Sequence, residues 1–216
     1  MYAVASSGGK DSTLALHRAR QRGLEVTHLF HVYGVEYGRV RFHGYRPEVL
    51  RAQARALGLD AIVESTRGGE CFDEDFARAL GAAADAGVQG ILFGNVHLED
   101  VRDYYRRHVE AAGLEYGDML WGEKPGQVLE EFVALGFRAV LTSVWLEKLD
   151  RGYLGREIDA RFAADLAGLE GVDPCGENGE YHSLVYDGPC FRRPLRYLRC
   201  GVHEERDHVF LDVRCP

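Results

Sequence analysis

The amino-acid sequence predicts an α/β protein, with a parallel sheet and its helices followed by a smaller α+β C-terminal domain. Over the first 122 residues, short apolar runs alternate with amphipathic runs of helical length, a rhythm typical of βαβ units. Glycines stand directly after several helical runs, where helices commonly end. Beyond Trp121 and Gly122 this alternation stops, and the chain finishes in a β-rich tail. We therefore expect two domains, 1–122 and 123–216.

The order of these runs defines the predicted elements. Pro47 at a first helical position and Gly58 after the last one bound the second helix. Glu99 and Asp100 suit the positive N-terminal end of the fourth. The predicted strands are 2–5, 24–32, 61–63, 90–93 and 137–144, and the predicted helices are 13–22, 47–57, 73–86, 98–112, 125–135 and 156–166. Right-handed crossovers place the ends of parallel strands at one edge of the sheet, where ligands bind.

Composition narrows the classes of function. The 216 residues carry a net charge of −8, which argues against a nucleic-acid partner because such binding requires clustered Lys and Arg. The five cysteines include no C-x-x-C pair, so their spacing predicts neither a zinc site nor an iron–sulfur cluster. No apolar run approaches the roughly 18 residues of a membrane span, and a functional loop from residue 6 leaves no room for a signal peptide. We expect a cytoplasmic protein that binds neither nucleic acid nor membrane, and a homo-oligomer stays open.

The segment from Ser6 to Ser12 joins the first predicted strand to the first helix. Gly8 and Gly9 allow a positive φ and let backbone N–H groups approach a ligand closely. The first N–H groups of a helix have no intrahelical partner and bind anions readily, and Lys10 adds a positive charge at the same point. The segment therefore predicts a phosphate-binding loop.

Two common phosphate loops do not fit this segment. Val4 and Asp11 occupy the positions where a Walker-type loop has Gly and Ser or Thr. No glycine at Ser12 completes the dinucleotide fingerprint. The alternative without a function is a Gly-Gly turn beside a solvated Lys10. In either case Asp11 or Ser12 is expected to cap the helix.

A second polar cluster lies at 176–182, where two carboxylates, an amide and an imidazole surround two glycines. Taken alone, Asn178-Gly179 fits a hairpin turn with solvated Glu177 and Glu180 beside it. Near a nucleotide loop, paired glutamates could instead hold Mg²⁺, an ammonium or a substrate amine and orient an incoming acceptor. Spacing alone leaves both interpretations open.

The loop and the polar cluster together resemble a known family. Ser7–Ser12 resembles the signature of the PP-loop (N-type ATP pyrophosphatase) superfamily, and residues 176–181 with 187–191 resemble its diphthine–ammonia ligase family. Further similar stretches extend the resemblance over nearly the whole chain: 42–43, 53–54, 120–122, 136–137 and 154–156. The resemblance implies a Rossmann-like nucleotide-binding domain of the PP-loop ATPase type and a smaller family-specific domain.

The resemblance also implies an activity and its participants. The implied reaction is ATP-dependent, AMP-forming amidation, in which a substrate carboxylate attacks the α phosphate and ammonia then displaces AMP. ATP and Mg²⁺ are the implied cofactors. Ammonium is an implied partner, as is elongation factor 2 where the source makes diphthamide, because diphthine is a modified histidine of that factor.

The same resemblance implies roles for individual residues. The implied catalytic residues are Lys10, Asp11, Glu177 and Glu180, with Asp11 near Mg²⁺. The implied nucleotide-binding residues are Ser6, Ser7, Gly8, Gly9, Lys10, Asp11, Ser12, Phe30, His31, Gly94 and Asn95. Asn178, Tyr181 and His182 are implied to face the acceptor.

Two other functions stay open from the sequence. One is a tRNA-modifying PP-loop enzyme, against which the acidic balance and the missing cysteine pair count. The other is a nucleotide sensor of the universal-stress type that binds ATP without turnover. Lys10 together with Glu177 and Glu180 favours turnover over sensing.

Overall fold

The computed structural model describes residues 1–36 and 38–216. Its first half contains β1 (Tyr2–Ala5), α1 (Lys10–Gln21), β2 (Val26–Gly34), α2 (Pro47–Leu57), β3 (Asp60–Thr66), α3 (Phe72–Asp85), β4 (Gly90–Phe93), α4 (Glu99–Ala111) and β5 (Glu115–Asp118). The five strands form one sheet in the order β3-β2-β1-β4-β5, each parallel to its neighbours. The predicted α/β fold is confirmed.

Strand β1 lies between β2 and β4, so the chain fills one side of the sheet first and the other side later. The strand order reverses at this point, and open parallel sheets bind their ligands at such a position. The loop from Ser6 follows β1, and Gly94 follows β4. The topology therefore brings the predicted phosphate loop to the expected ligand-binding edge.

The second half forms an antiparallel sheet. It contains α5 (Pro125–Ala134), β6 (Arg138–Trp145), α6 (Ala160–Ala167), β7 (Tyr181–Asp187), β8 (Leu198–Glu205) and β9 (His208–Arg214). The strand order is β7-β6-β9-β8. This sheet with its two helices confirms the predicted α+β character of the C-terminal part.

The starts of two helices, α1 and α6, differ most from the prediction. Helix α1 begins at Lys10, and its N-cap is Gly9 without a side-chain cap. The expectation that Asp11 or Ser12 caps it is therefore wrong, because Ser12 lies inside the first turn and its hydroxyl donates to the Gly9 carbonyl at 3.1 Å. Helix α6 begins four residues later than predicted because Asp159 caps it, its carboxylate accepting from Phe162 N at 2.8 Å.

Strand β5 was not predicted. Its sequence, Glu-Tyr-Gly-Asp, has no apolar run, and it forms because it pairs with β4 at the edge of the sheet. Tertiary pairing of this kind overrides local propensity.

One hydrophobic core runs through both halves of the chain. It includes Leu14 and Leu16 of α1, Leu50 of α2, and Val140 and Leu184 of the second sheet. A second cluster covers the opposite face of the parallel sheet with side chains of α3 and α4. Because the larger core is shared, the domain boundary at residue 122 stays a prediction. Among the described residues, no helix is both long and apolar enough to cross a bilayer.

Candidate active site

The backbone of the loop after β1 is fixed by contacts from α2, the loop before α2, and β7 of the second sheet. Gly8 has φ +87°, and a Cβ there would lie 2.5 Å from the Tyr45 hydroxyl. The Gly8 carbonyl accepts hydrogen bonds from Val185 N at 2.9 Å and from Gln53 Nε2 at 2.9 Å. The glycine is therefore needed for both its conformation and the close approach of its neighbours.

The start of α1 is held in the same way. The Lys10 N–H donates to Ser183 Oγ of β7 at 3.2 Å. A Cβ on Gly9 would lie 3.0 Å from the His43 ring, and a Cβ on Gly94 would lie 2.7 Å from the Asp11 carbonyl oxygen. These contacts leave little room for a side chain at either glycine.

Two serines brace the loop from within. The hydroxyls of Ser6 and Ser12 lie 3.1 Å apart, and Ser6 Oγ accepts from Gly8 N at 3.1 Å. With Ser7 and Gly9 they line a cavity of about 300 Å³. The braced loop thus forms one wall of the cavity.

Lys10 places a buried cation in this wall. Its side chain is only 4% exposed, and its ammonium donates to Asp11 Oδ2 at 2.9 Å and to the Cys175 carbonyl. It also lies 4.9 Å from the centroid of the Tyr181 ring. Burial opposes the charge, yet the Asp11 carboxylate holds the pKa of Lys10 well above its ordinary value.

Asp11 keeps one carboxylate oxygen free. Oδ2 binds Lys10, whereas Oδ1 is buried and has no hydrogen-bond partner among the described residues. An unpaired buried carboxylate oxygen is costly. It is the type of atom that a hard cation such as Mg²⁺ binds.

Glu177 brings a second carboxylate to the cavity from the C-terminal half. Its Oε2 accepts from Val96 N at 3.3 Å. Burial and the nearby Asp11 raise the pKa of Glu177 to about 7. A carboxyl group with this pKa can give or take a proton near neutral pH.

Three imidazoles line the cavity beside the loop: His31, His43 and His182. Burial lowers the pKa of His31 to about 4 and that of His43 to about 3, and it lowers the pKa of His182 well below its ordinary value. The His43 and His182 ring centroids lie 4.7 Å apart. His43 Nδ1 lies 3.0 Å from the Ser183 carbonyl, so this nitrogen carries the proton. All three rings are neutral at physiological pH.

Aromatic side chains form much of the remaining cavity wall. They come from β2, β4 and the two helices that cover the outer face of the parallel sheet: Phe30, Phe72, Phe76, Phe93 and Tyr105. Phe72 and Phe76 stack at 5.8 Å, and Phe93 and Tyr105 at 5.2 Å. One cavity thus combines the glycine-rich loop and the Lys10 ammonium with an aromatic wall that suits a flat ring.

Comparisons with known proteins agree with this arrangement. The profile of the family described as "Diphthamide synthase N-terminal domain" matches residues 1–116, and that of "Diphthamide synthase C-terminal domain" matches residues 124–213. Both halves that form the cavity are therefore covered. The chain belongs to the diphthamide synthase family. The resemblance seen in the sequence is confirmed.

Individual proteins with related sequences share only a modest fraction of identical residues with this chain. A diphthine–ammonia ligase of Schizosaccharomyces pombe is 26% identical over 211 residues, which is 88% of this chain and 34% of that protein. Diphthine–ammonia ligases of Bos taurus and Homo sapiens are each 29% identical over 115 residues, which is 50% of this chain and 42% of each protein. The chain thus spans about a third of the length of the first relative and less than half of the other two.

Within this member of the family, most residues proposed from the sequence meet in one place. The cavity is lined by Ser6, Ser7, Gly9, Lys10, Asp11, Ser12, Phe30, His31, Gly94, Asn95, Glu177, Tyr181 and His182. Asn95 also donates to the Tyr116 hydroxyl at 3.1 Å. Their individual roles stay predictions.

Three residues proposed from the sequence, Gly8, Asn178 and Glu180, are not among the described residues that line the cavity. Glu180 is 1% exposed, and its carboxylate accepts from Asp173 N at 2.9 Å and from Asn178 N and Nδ2 at 3.1 Å. These bonds fold the 173–180 segment back on itself. Since no described strand directly precedes this segment, the hairpin-turn interpretation of Asn178-Gly179 is wrong.

Two groups of site residues escaped sequence reasoning. The aromatic side chains of α3 and α4 have the spacing of an ordinary core-facing helix surface. The sequence therefore does not indicate that they also line the cavity. Gln53 is fully buried and bridges the loop to β7, its Nε2 donating to Gly8 O at 2.9 Å and Val185 O at 2.8 Å. Residues 53–54 belong to the stretches that resemble the family, but the sequence did not indicate this bridging contact.

Proposed function

We propose that this chain is an ATP-dependent, AMP-forming amide ligase that acts on a carboxylate acceptor and ammonia, as the names of its relatives suggest. One observation carries the proposal. Lys10 of the phosphate loop and Glu177 of the C-terminal segment line the same cavity, and the Cys175 carbonyl binds Lys10 directly. A nucleotide held by the loop would therefore have its reacting phosphate beside groups from the family-specific half.

In the first step, an oxygen of the acceptor carboxylate attacks the α phosphorus of ATP. The bond to the bridging oxygen breaks, giving an acyl-adenylate and pyrophosphate. The positive N-terminal end of α1 and the ammonium of Lys10 would neutralise the β and γ phosphates as charge moves onto the leaving pyrophosphate.

Mg²⁺ fits the free oxygen of Asp11. Asp11 would hold the ion through this oxygen, and the ion would supply positive charge that screens the phosphates and polarises the α phosphate. Among the described residues, no group of three or more His, Cys, Asp or Glu side chains forms a metal site. This fits an ion held largely by substrate, because Mg²⁺ commonly binds one or two carboxylates plus substrate phosphates.

In the second step, ammonia attacks the acyl carbon and AMP leaves with its phosphate oxygen. Ammonium must lose a proton before it can attack, and the forming amide loses another. Glu177 is the base that we propose for one of these protons, since its pKa of about 7 matches the task.

For the acceptor, we propose diphthine on elongation factor 2, in line with the names of the relatives. The source of the chain decides whether this acceptor is present. The nucleotide chemistry of the proposal does not depend on that choice.

The proposal is tested by incubating the protein with ATP, Mg²⁺, ammonium and elongation factor 2 bearing diphthine. A ligase releases AMP and pyrophosphate in amounts equal to the amide formed. Lys10→Ala is the matched inactive variant, because it removes the buried cation. Unchanged ATP would indicate a nucleotide sensor and ADP a different phosphate chemistry, and either result would contradict the proposal.

A further inference from the structure

Arg41 and Phe42 lie next to the cavity wall, in the loop between β2 and α2. The following residue, His43, lines the cavity. The Phe42 ring stacks on His182, another lining residue, with ring centroids 5.7 Å apart and planes inclined by 16°. The pair therefore lies at the rim of the site without forming its floor.

Phe42 has two properties that the fold alone does not require. Its side chain is 55% exposed, and its φ is +66°. A bulky L-residue rarely adopts this left-handed conformation. Strained residues cluster at functional sites, where the surrounding structure holds them in place. An exposed aromatic ring in such a conformation at a cavity rim therefore indicates a functional role for Phe42.

Arg41 adds an uncommitted positive charge. Its guanidinium carbon lies 4.7 Å from the Phe42 ring centroid, and Arg41 takes part in none of the ion pairs found among the described residues. Burial raises the pKa of the Tyr105 phenol in the cavity wall, and the charge of Arg41 opposes that rise. In a protein of net charge −8, this cation can attract an acidic group toward the cavity.

The two side chains suit one class of ligand. A guanidinium binds a carboxylate through two parallel hydrogen bonds, and an aromatic ring stacks on another flat ring. The stack on His182 already shows this ring beside an imidazole.

We propose that Arg41 and Phe42 form the docking site of the acceptor, with Arg41 guiding its carboxylate and Phe42 stacking on the ring that carries it. The ligand class is a ring-bearing carboxylate side chain presented by another protein. This inference rests on the proposed ligase function and adds to it the site at which the second substrate enters.

The test compares Phe42→Asn and Arg41→Gln with the wild type in the AMP-release assay, using elongation factor 2 bearing diphthine as the probe. Asn accepts the left-handed conformation readily but offers no ring. We expect each variant to raise the KM for this acceptor about ten-fold. The kcat and the KM for ATP should stay within about two-fold of the wild-type values. The melting temperature of Phe42→Asn should not fall below that of the wild type.

Arg206→Asn is the matched control. Arg206 is the other described non-glycine residue with a positive φ, at +53°, and it lies in the turn between β8 and β9, outside the cavity lining. This variant should relieve backbone strain in the same way and leave every kinetic constant unchanged.

Unchanged acceptor KM values in an active enzyme would overturn the docking proposal alone. So would a Phe42→Asn melting temperature several degrees below the wild-type value, because the ring would then serve the fold. A wild type that releases no AMP would refute the proposed function, and the docking proposal would fall with it.

Discussion

Glu177 and Glu180 show how much two identical side chains, three positions apart, can differ. Glu177 lines the cavity, and its neighbours raise its pKa to about 7. Both carboxylate oxygens of Glu180 accept hydrogen bonds from amides of its own loop. Both residues belong to one sequence motif. The folded backbone decides which of the two carboxylates faces the cavity.

Replacing Glu177 with Gln should change the pH dependence of the reaction. The carboxylate form grows as pH rises through about 7, so the wild-type rate should increase over this interval. The variant should lack this increase and be slower by roughly 100-fold, a typical contribution of a general base. Steady-state rates between pH 5.5 and 8.5 measure this.

The same variant should change stability in a defined direction. The folded pKa lies above the ordinary 4.5, so the protonated carboxyl stabilises the fold below that pH, and this contribution is lost as pH rises through about 7. The melting temperature of Glu177→Gln should therefore rise relative to that of the wild type as pH increases from 4.5 to about 7. Glu180→Gln is the control: it should melt lower because it disturbs the loop amides, yet keep the wild-type pH–rate profile. The base assignment fails if both variants retain that profile.

At the level of the elements, the joint between α2, β7 and the phosphate loop sets the shape of the site. Gln53 of α2 donates to both Gly8 O and Val185 O, and Val185 N returns a bond to Gly8 O. The loop is thus fixed by a helix and a strand that are both far away in the sequence. A short-range pattern predicts the glycines but not these partners.

Gln53→Leu should loosen this joint. The substitution leaves a buried carbonyl of Val185 without its side-chain donor, which costs about 1–3 kcal/mol. In a chain of this size each kcal/mol lowers the melting temperature by roughly 2–4 °C. The KM for ATP should rise as the loop loses its support.

Gln21→Leu provides the comparison. Gln21 is exposed on α1, so the melting temperature of the Gln21→Leu variant and its KM for ATP should stay near the wild-type values. Equal behaviour of the two variants would show that the joint does not position the loop.

The sequence predicted the elements bounded by strong local signals and missed those that depend on tertiary partners. Helix α2 and strand β4 have the predicted bounds because Pro47, Gly58 and the buried Gly90–Phe93 run mark them. Strand β5 and the aromatic wall of the cavity were missed because their neighbours come from other parts of the chain. The glycine-rich loop was predicted because all six residues from Ser7 to Ser12 match a known signature at a strand–helix junction.

At the scale of the whole molecule, one core joins the two halves. Leu14 and Leu16 of α1 belong to the same cluster as Val140 and Leu184 of the second sheet. Cutting the chain at residue 122 would expose this apolar face of the N-terminal half. The halves are therefore expected to depend on each other for stability.

We expect a fragment of residues 1–122 to lack a cooperative unfolding transition. The apolar area that it exposes contributes about 25 cal/mol per Å² when buried, which is large against the marginal stability of a domain. Urea unfolding followed by near-ultraviolet circular dichroism, with the full chain as the reference, measures this. A sharp transition in the fragment would show that the first half folds alone.

The central claim is that the loop after β1 holds the triphosphate of ATP with its α phosphate turned toward Glu177. A crystal structure of the protein with Mg²⁺ and α,β-methylene ATP tests it most directly. We predict phosphate density beside the Lys10 ammonium at the start of α1 and the base between the aromatic side chains of the cavity. Nucleotide density at any other place on the protein would contradict the account.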